Sequence, residues 1–395
     1  MQSNRQIFLQ HLAQTSATPL MLEIVKAQGI YLNDAEGKQY MDLISGISVS
    51  NVGHAHPKVI DAIYQQSKKF SHLMVYGEFV QYPQTQFAEF LANKLPQHLN
   101  CVYFTNSGSE ATEGAMKLAK RFTGRAEIIS MKKAYHGSTQ GALSLMGDEY
   151  FKSAFRPLLP ATTQIRFNCF DDLQFITEKT AAVFTEPIQA EAGVVLPTEG
   201  YLQALRNRCD EVGALLVFDE IQTGGGRTGS WFVFETMNVV PDVLLLAKSL
   251  GGGLPLGAFI SSHEMMLSLS NNPVLGHITT FGGNAVCCAA GLAAWKVIDD
   301  EHLINVLGEK QTIFQNLLIH REIKAVRCSG LLIAVEFETE KKCFDVIQRC
   351  LKNGLLTDWF LFASNCLRIA PPLIISKREI EKACEIILKS IDHEP

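Results

Sequence analysis

The sequence predicts an α/β protein: a large domain with a mostly parallel sheet covered by helices, plus a smaller α+β domain from both termini. From Cys101 onward, short apolar runs alternate with helical stretches, which is typical of a mostly parallel sheet. After about Gly291 the order becomes helix, strand, helix, strand and a last helix. We therefore expect the large domain over 46–295 and the small domain over 1–45 and 296–395.

The N-terminal third supplies the first elements. A short amphipathic helix and a loop to Pro19 precede two alternating strands, whose connecting Asp-Ala-Glu-Gly segment predicts a hairpin over Gly29–Leu43. Residues 58–95 carry two helical patterns. His54 and His56 resemble metal ligands, but no carboxylate cluster lies nearby in the sequence, so we interpret them as structural.

The strands of the large domain are predicted from the runs CVYFT, AAVFTE, ALLVF and VLLLA. These runs have the length and the apolar, partly β-branched composition of buried strands. Helical patterns over Glu110–Phe122 and Leu202–Val212 lie between them. In such sheets ligands bind outside the carboxyl ends of the strands, so polar side chains at those ends are candidate site residues.

Composition excludes several classes of function. The chain has 395 residues, of which 47% are hydrophobic, and a formal net charge of −5, which argues against a nucleic-acid or anionic-membrane partner. No apolar segment approaches membrane-spanning length, and the first residues lack the apolar core of a signal peptide. The ten cysteines are scattered without metal-binding spacing. We expect reduced thiols and a cytoplasmic location.

Lys248 is the most informative residue. It ends the apolar run Val243–Ala247 and is followed closely by three glycines, Gly251 to Gly253. Burial lowers the pKa of a lysine, and a neutral amine can form a Schiff base with an aldehyde. The glycines let the backbone approach a bulky ligand. Alternatively, Lys248 extends its ammonium group to solvent from the end of a strand.

Two segments could bind the remainder of such a ligand. The turn Asn106-Ser107-Gly108-Ser109 opens a helix, and the free N–H groups there can cradle a phosphate, although a serine that merely caps the helix is equally compatible. Tyr135 and His136 lie on a loop where an aromatic ring can stack on a flat heterocycle. The alternative is a partly buried loop aromatic without a ligand.

Asp219 and Glu220 end another buried strand, with Gln222 just beyond. A buried carboxylate needs a cationic or hydrogen-bonding partner, and a protonated ring nitrogen would serve. Asp219 and Lys248 are one strand–helix–strand step apart, so both can lie at the same edge of the sheet. A magnesium ion held by Asp219 and Glu220 beside a nucleotide is the rival, but no P-loop is present in the sequence.

Pyridoxal phosphate would satisfy these features together, because it needs a phosphate cradle, a stacking ring, an acid and a lysine. The chain resembles the class III aminotransferases along nearly its whole length, particularly the ornithine and acetylornithine branch. The resemblance rests on FTNSGSEA, YHG, EPIQAEAGV, VFDEIQTGGGRTG, LLLAKSLGGGLPLGA, TTFGGN and LRIAPPL. It implies the fold type I architecture of aspartate aminotransferase.

The resemblance also implies roles for individual residues. Lys248 and Asp219 would be catalytic: the lysine forms the Schiff base, and the aspartate keeps the pyridine nitrogen protonated. No metal is expected. Family members share each active site across a homodimer, so Thr280 would come from the neighbouring subunit. The implied cofactor-binding residues are Ser107, Gly108, Ser109, Tyr135, His136, Glu186, Asp219, Gln222, Lys248 and Thr280.

The implied substrate-binding residues are Arg368, Glu191, Ser138 and Thr279. In the ornithine-type enzymes the arginine binds a substrate carboxylate and the glutamate masks it while an ω-amine is the donor. Those enzymes carry an arginine at the position of Ser138, and a serine cannot form its bidentate pair with a carboxylate. This departure argues against ornithine or acetylornithine as the donor.

These features predict an aminotransferase that moves an amino group from an ω-amino donor to a 2-oxo acid, expected to be 2-oxoglutarate, by a ping-pong mechanism through Lys248. An aminomutase or lyase on the same scaffold is the alternative. A non-catalytic protein that retains only the fold is a third interpretation, against which the intact Lys248 and Asp219 argue.

Overall fold

The computed structural model describes residues 2–392. Its strands are β1 (Ile24–Gln28), β2 (Tyr31–Asp34), β3 (Gln39–Asp42), β4 (Cys101–Thr105), β5 (Glu127–Met131), β6 (Thr162–Ile165), β7 (Thr180–Thr185), β8 (Leu215–Asp219), β9 (Val243–Leu246), β10 (Gly257–Ser261), β11 (Ile323–Ser329), β12 (Leu332–Phe337), β13 (Leu355–Leu356), β14 (Asp358–Phe360) and β15 (Ala363–Ile369). Its helices are α1 (Asn4–His11), α2 (Ser45–Ser48), α3 (Pro57–Lys69), α4 (Tyr82–Ala92), α5 (Gly108–Thr123), α6 (Gln140–Ser144), α7 (Glu149–Lys152), α8 (Tyr201–Val212), α9 (Val233–Met237), α10 (His263–Leu267), α11 (Ala285–Asp300), α12 (Leu307–Leu317), α13 (Glu340–Lys352) and α14 (Lys377–Asp392).

The central sheet has seven strands in the order β4-β10-β9-β8-β7-β5-β6. The pairs from β9 to β6 are parallel, whereas β10 runs antiparallel to both of its neighbours. Every residue of β7, β8 and β9 is buried, because helices cover both faces of the sheet. The predicted α/β class with a mostly parallel sheet is confirmed.

Close packing of helices on this sheet depends on small residues. A Cβ at Gly114 in α5 would lie 2.3 Å from the ring of Phe259 in β10. A Cβ at Gly291 in α11 would lie 2.2 Å from the carbonyl oxygen of Leu250, two residues after Lys248. Helix α11 therefore packs directly against the backbone of the segment that follows Lys248.

Two smaller sheets are built from the terminal parts of the chain. One has the order β1-β2-β3-β13, and the other β11-β12-β15-β14. The hairpin expected over Gly29–Leu43 is confirmed as the antiparallel pair β2–β3. Strand β13 then adds to β3 in parallel, which joins both ends of the chain in one sheet. Helix α11 runs through residue 295, and the division at 46 and 295 stays a prediction.

Arg227 links distant parts of the chain. Its side chain is fully buried, and it donates hydrogen bonds to the carbonyl oxygens of Leu331 and Pro371 and to Oδ1 of Asn51. Asn51 in turn donates to the carbonyl oxygen of Gly225 (2.9 Å). Burial lowers the pKa of Arg227 to about 9. We name this set, Arg227, Asn51, Leu331 and Pro371, the arginine clasp.

The two histidines considered as metal ligands belong to pairs with acids. His54 Nε2 lies 2.8 Å from Asp42 Oδ2, and His56 Nε2 lies 3.9 Å from Glu301. Within residues 2–392, no group of three histidine, cysteine or acidic side chains is arranged to hold a metal ion. No helix in that range is both long and apolar enough to cross a membrane.

Candidate active site

A cavity of about 370 Å³ lies where the parallel strands end. The loop after β5 carries Tyr135 and His136, the segment after β7 carries Glu186, β8 ends in Asp219, and Lys248 follows β9. The N-terminus of α5 closes one side. The sheet thus brings side chains from four strands to one edge, as parallel strand order requires.

Lys248 enters the cavity with a strained backbone. Its φ of 51° is in the left-handed region, which is unusual for a residue with a side chain. The Nζ atom donates to Gln222 Oε1 at 2.8 Å. Burial lowers the pKa of Lys248 to about 8. The amine is therefore neutral far more often than a surface lysine at the same pH.

Asp219 and His136 form a buried pair beside this lysine. Asp219 Oδ2 lies 2.7 Å from His136 Nδ1, and Asp219 Oδ1 accepts from the N–H of Ile221. Both side chains are almost inaccessible to solvent. His136 Nε2 is buried without a hydrogen-bond partner among the described residues. The histidine fixes the orientation of the carboxylate toward the cavity.

Glu220 points elsewhere, although it follows Asp219 directly. Its carboxylate accepts hydrogen bonds from the N–H groups of Val233 and Phe234 and from Thr223 Oγ1. It therefore holds the start of α9, and burial raises its pKa to about 7. Because Asp219 lines the cavity and Glu220 does not, the structure gives no support to the magnesium alternative.

The N-terminus of α5 combines a helix cap with an open cradle. Ser107 Oγ accepts from the N–H of Glu110 and is the cap, whereas Ser109 Oγ accepts from the N–H of Ser138. Both serines and Gly108 line the cavity. A Cβ at Gly137 would lie 2.2 Å from Ser109 Oγ, so only glycine allows this approach. The structure shows the helix cap at Ser107, and the phosphate cradle stays a prediction that is compatible with it.

Glu186 lies buried behind Tyr135 and Asp219. It accepts hydrogen bonds from the N–H groups of Ala190 (3.1 Å) and Tyr135 (3.4 Å). Burial, reinforced by the charge of Asp219, raises its pKa well above the usual range. A protonated Glu186 can donate a hydrogen bond into the cavity.

A second chamber adjoins the first through Tyr135, Glu191 and Lys248, which line both. Arg368 donates from Nη1 to Glu191 Oε1 (2.7 Å) and from Nη2 to Glu191 Oε2 (2.9 Å). Burial alone would raise the pKa of Glu191, but the charge and hydrogen bonds of Arg368 hold it below its usual value. We call this chamber the substrate lobe.

Arg368 has three further contacts besides Glu191. Its Nη2 donates to the carbonyl oxygen of Trp359 at 2.8 Å. Its Nε lies 3.0 Å from Asp358 Oδ1, an ion pair that lacks hydrogen-bond alignment. The guanidinium also lies over the ring of Phe360, 4.6 Å from its centroid. Arg368 is thus held by two carboxylates.

The other predicted residues occupy the rim. Ser138 Oγ lies 3.0 Å from the hydroxyl of Tyr135. Thr279 Oγ1 accepts from Asn106 Nδ2 at 2.9 Å, next to the start of α5. Thr280 is exposed and does not line the cavity of its own chain, so the structure does not bring it together with the other site residues.

Comparison with known proteins identifies the family. The profile of the family described as Aminotransferase class-III matches residues 12–391. The chain belongs to the class III aminotransferases. It is 38% identical over 378 residues to an acetylornithine aminotransferase of Methanosarcina mazei, covering 93% of this chain and 91% of that protein. It is 38% identical over 379 residues to ornithine aminotransferase 1 of Staphylococcus aureus N315, covering 92% and 93%.

Solved structures of related enzymes have the same fold as this class III aminotransferase. The ornithine aminotransferase of Toxoplasma gondii ME49 superimposes with a TM-score of 0.91 at 30% identity, covering 98% of this chain and 93% of that one. A transaminase from the marine bacterium Virgibacillus gives a TM-score of 0.92 at 27% identity, covering 98% of each chain. The predicted fold type I architecture is confirmed.

Pyridoxal phosphate is the cofactor of the class III aminotransferases, and the T. gondii enzyme has been crystallised with it at partial occupancy. The cavity fits this group. Gly108 and Ser109 begin α5 and line the cavity, and the N–H groups at a helix start have no carbonyl partners within the helix and can bind a phosphate. Gln222 Nε2 and His136 Nε2 are buried without partners in the described chain. The amine of Lys248 faces the same space.

Sequence reasoning missed four residues of the substrate lobe: Ile47, Asp358, Trp359 and Leu361. Ile47 lies in α2 and is brought in from the N-terminal part of the chain. Asp358 and Trp359 lie on β14, whose short polar-flanked sequence is compatible with a surface edge strand. The antiparallel pairing of Asp358 with Arg368 places the Asp358 side chain on the face of the lobe. Trp359 borders the lobe through its carbonyl oxygen, since its ring lies on the other face of the strand against Phe344.

Proposed function

We propose that this class III aminotransferase takes an amino group from an ω-amino donor and passes it to a 2-oxo acid, with 2-oxoglutarate as the expected acceptor, in a ping-pong cycle. The observation that supports this is the buried pair Glu191–Arg368 in the same lobe as Lys248. An exposed arginine edge binds a carboxylate through two charge-assisted hydrogen bonds. With Glu191 in place, the lobe instead admits an amine that has no carboxylate near the reacting carbon.

Lys248 has the central role in this proposal. When bound, pyridoxal phosphate supplies an aldehyde that reacts with amines and a ring that accepts electrons. Lys248 holds the cofactor in the resting enzyme. Its pKa of about 8 leaves a useful neutral fraction near neutral pH, so Nζ can take a proton from the carbon that bears the donor amine. Gln222 Oε1 keeps Nζ in position.

The other residues bind and orient. Asp219, held by His136, would face the ring nitrogen and keep it protonated. Tyr135 would lie against the ring, and Gln222 would donate from its unpartnered Nε2 to the phenolic oxygen. Glu186 would line the cofactor site behind them. Ser107, Gly108 and Ser109 would bind the phosphate, with Thr280 of a second subunit.

The donor is proposed to differ from that of the ornithine-type relatives. Ser138 carries no charge, and its hydroxyl contacts Tyr135. It cannot hold a distal carboxylate as an arginine does. Thr279 lies on the rim near Asn106, where it can contact a substrate only from the entrance. The acceptor carboxylate would bind to Arg368 after Glu191 moves away.

We further propose a homodimer in the cytoplasm. Apolar side chains that a second subunit could cover are exposed on the segments 79–82 and 274–281: Val80 is 93% exposed, Val274 72% and Phe281 56%. Thr280 lies within this surface, as a residue that completes a neighbouring site would. All ten cysteines are free thiols in the structure, which fits a reducing compartment.

Half-reactions test the proposal. Amines added to the cofactor-loaded enzyme should bleach its visible absorbance band, and a 2-oxo acid should restore it. Lys248→Ala should abolish the original band and turnover, whereas Lys341→Ala, on the exposed face of α13, should change neither. A fully active Lys248→Ala enzyme would refute the assignment. Turnover that continues without any oxo acid would favour an aminomutase or lyase.

A further inference from the structure

The substrate lobe has a chemical character that the family relationship does not specify. Its volume is about 420 Å³, enough for a small aliphatic amine. Its lining combines apolar residues with charged ones. The lining residues are Ile47, Tyr135, Glu191, Lys248, Asp358, Trp359, Leu361 and Arg368.

The charges of this lobe do not balance. Lys248 is committed to the cofactor under the proposed function, which leaves Arg368 as the one cation among the lining residues of this chain. Two carboxylates, Glu191 and Asp358, oppose it. Arg368 pairs with both, so the three side chains together carry one negative charge in excess, which is unfavourable in a partly desolvated cavity.

Of the two carboxylates, Asp358 is the one whose oxygens are still free to accept hydrogen bonds. Glu191 uses both oxygens on Arg368 and also accepts from the N–H of Leu361. Asp358 has one contact to the guanidinium, accepts no hydrogen bond there, and keeps 22% of its side-chain surface exposed. Burial raises the pKa of Asp358 to about 6, so it is still ionised at neutral pH.

The neighbours of Asp358 suit an alkyl chain that ends in a cation. Ile47 and Leu361 offer apolar contacts for methylene groups. The ammonium group at the end of that chain would then lie against the carboxylate of Asp358. A carboxylate at the same point would meet Asp358, and Ser138 offers it no charge.

We propose that Asp358 binds the distal ammonium of the amino donor, so that the preferred donor is an aliphatic diamine and not an ω-amino carboxylate. This inference rests on the proposed function, because the other amine of the diamine must react at Lys248. The distal ammonium neutralises the surplus negative charge of the lobe. Glu191 stays on Arg368 throughout this half of the cycle.

Three amines of equal chain length test the inference: an α,ω-diamine, the monoamine that lacks the distal group, and the ω-amino carboxylate. The measured quantity is the rate of bleaching of the cofactor-loaded enzyme at subsaturating amine. We expect the diamine to react about tenfold faster than the monoamine, and the amino carboxylate to react slowest. Equal rates for diamine and monoamine, or a faster amino carboxylate, would overturn the inference.

Variants assign the preference to one side chain. Asp358→Asn should bring the ratio of diamine to monoamine rates close to one, and this ratio is the measured quantity because it cancels any effect of the variant on both amines alike. Asp358→Glu, which keeps the charge, should keep the preference, and Asp171→Asn, an exposed acid far along the chain, should match the unaltered enzyme. A preference that survives in Asp358→Asn would overturn the inference.

The outcomes distinguish an error in the role of Asp358 from an error in the proposed aminotransferase function. If the monoamine bleaches the enzyme and an oxo acid restores it, but the diamine has no advantage, only the role of Asp358 is wrong. If no amine of any class bleaches the enzyme, the proposed function itself is wrong, and the inference falls with it. An intact visible band in each variant shows that the site still folds and binds its cofactor.

Discussion

Replacing Glu191 by glutamine should strengthen the binding of the 2-oxo acid. In the structure Glu191 occupies both terminal nitrogens of Arg368, at 2.7 and 2.9 Å, so an incoming carboxylate must displace it. Glutamine has nearly the same shape and keeps one oxygen acceptor, but it loses the charge. The second contact then places an amide N–H against the guanidinium, which also carries only donors.

The magnitude follows from the hydrogen bonds that are lost. A hydrogen bond to a charged group contributes about 1.5–3 kcal/mol, and each 1.4 kcal/mol is roughly a tenfold change in a binding constant. Weaker masking of Arg368 should therefore lower the dissociation constant of the oxo acid by about ten- to a hundredfold. The rate with an amine donor that lacks a carboxylate should change much less, since it does not compete for Arg368.

Single-turnover kinetics separates the two effects. Aminated enzyme is mixed with increasing 2-oxoglutarate, and the return of the visible band gives the apparent dissociation constant. The control Glu211→Gln removes an exposed pair with Arg208 and should have no effect, because such surface pairs contribute little. If Glu191→Gln leaves oxo-acid affinity unchanged or weakens it, Glu191 does not compete with the substrate for Arg368.

Two further predictions concern Lys248 and its support. Because burial lowers the pKa of Lys248 from 10.5 to about 8, cofactor uptake by the cofactor-free enzyme should rise with pH through about 8 and then level off. An uptake rate that still climbs beyond pH 10 would contradict this pKa. Between pH 8 and 10.5 the free energy of unfolding of the cofactor-free enzyme should also rise with pH, because in that range Lys248 keeps its proton only in the unfolded chain. Gly291→Ala should destabilise the protein by about 1–3 kcal/mol in thermal or denaturant unfolding, because its Cβ would collide with the carbonyl oxygen of Leu250. Gly308→Ala in α12, where a Cβ meets nothing within 4 Å, should be neutral or stabilising, and equal effects of both changes would refute the packing argument.

The strand pattern predicted which side chains meet at the main cavity. Val243–Leu246 and Leu215–Asp219 are continuous apolar runs joined by one crossover, so right-handed parallel winding places Asp219 and Lys248 at one edge. The glycines and serines around α5 likewise follow local rules for helix starts. The recognised motifs then identified the family, which the comparisons confirm.

Other features depend on contacts that no local pattern encodes. Strand β10 is as apolar as its neighbours, so its sequence does not show that it runs antiparallel to β9. Strand β13 has two residues and reaches β3 across more than 300 positions of the chain. From the sequence alone Asp358 resembles a surface acid, and only the pairing of β14 with β15 places it beside Arg368. The lowered pKa of Lys248 likewise depends on burial by the whole cavity.

The arginine clasp fixes the distance between two segments that carry site residues. Pro371, which accepts from Arg227, is three residues after Arg368, and Gly225, which Asn51 holds, is three residues after Gln222. The guanidinium of Arg227 therefore ties the segment that carries Gln222, the hydrogen-bond partner of Lys248, to the segment that carries Arg368. Rigid rotation of the terminal sheets would have to break several solvent-free hydrogen bonds at once, at about 1–3 kcal/mol for each unsatisfied group. Adaptation to longer or shorter amines should then proceed through apolar lining side chains such as Ile47 and Leu361, while the distance between Lys248 and Arg368 stays constant.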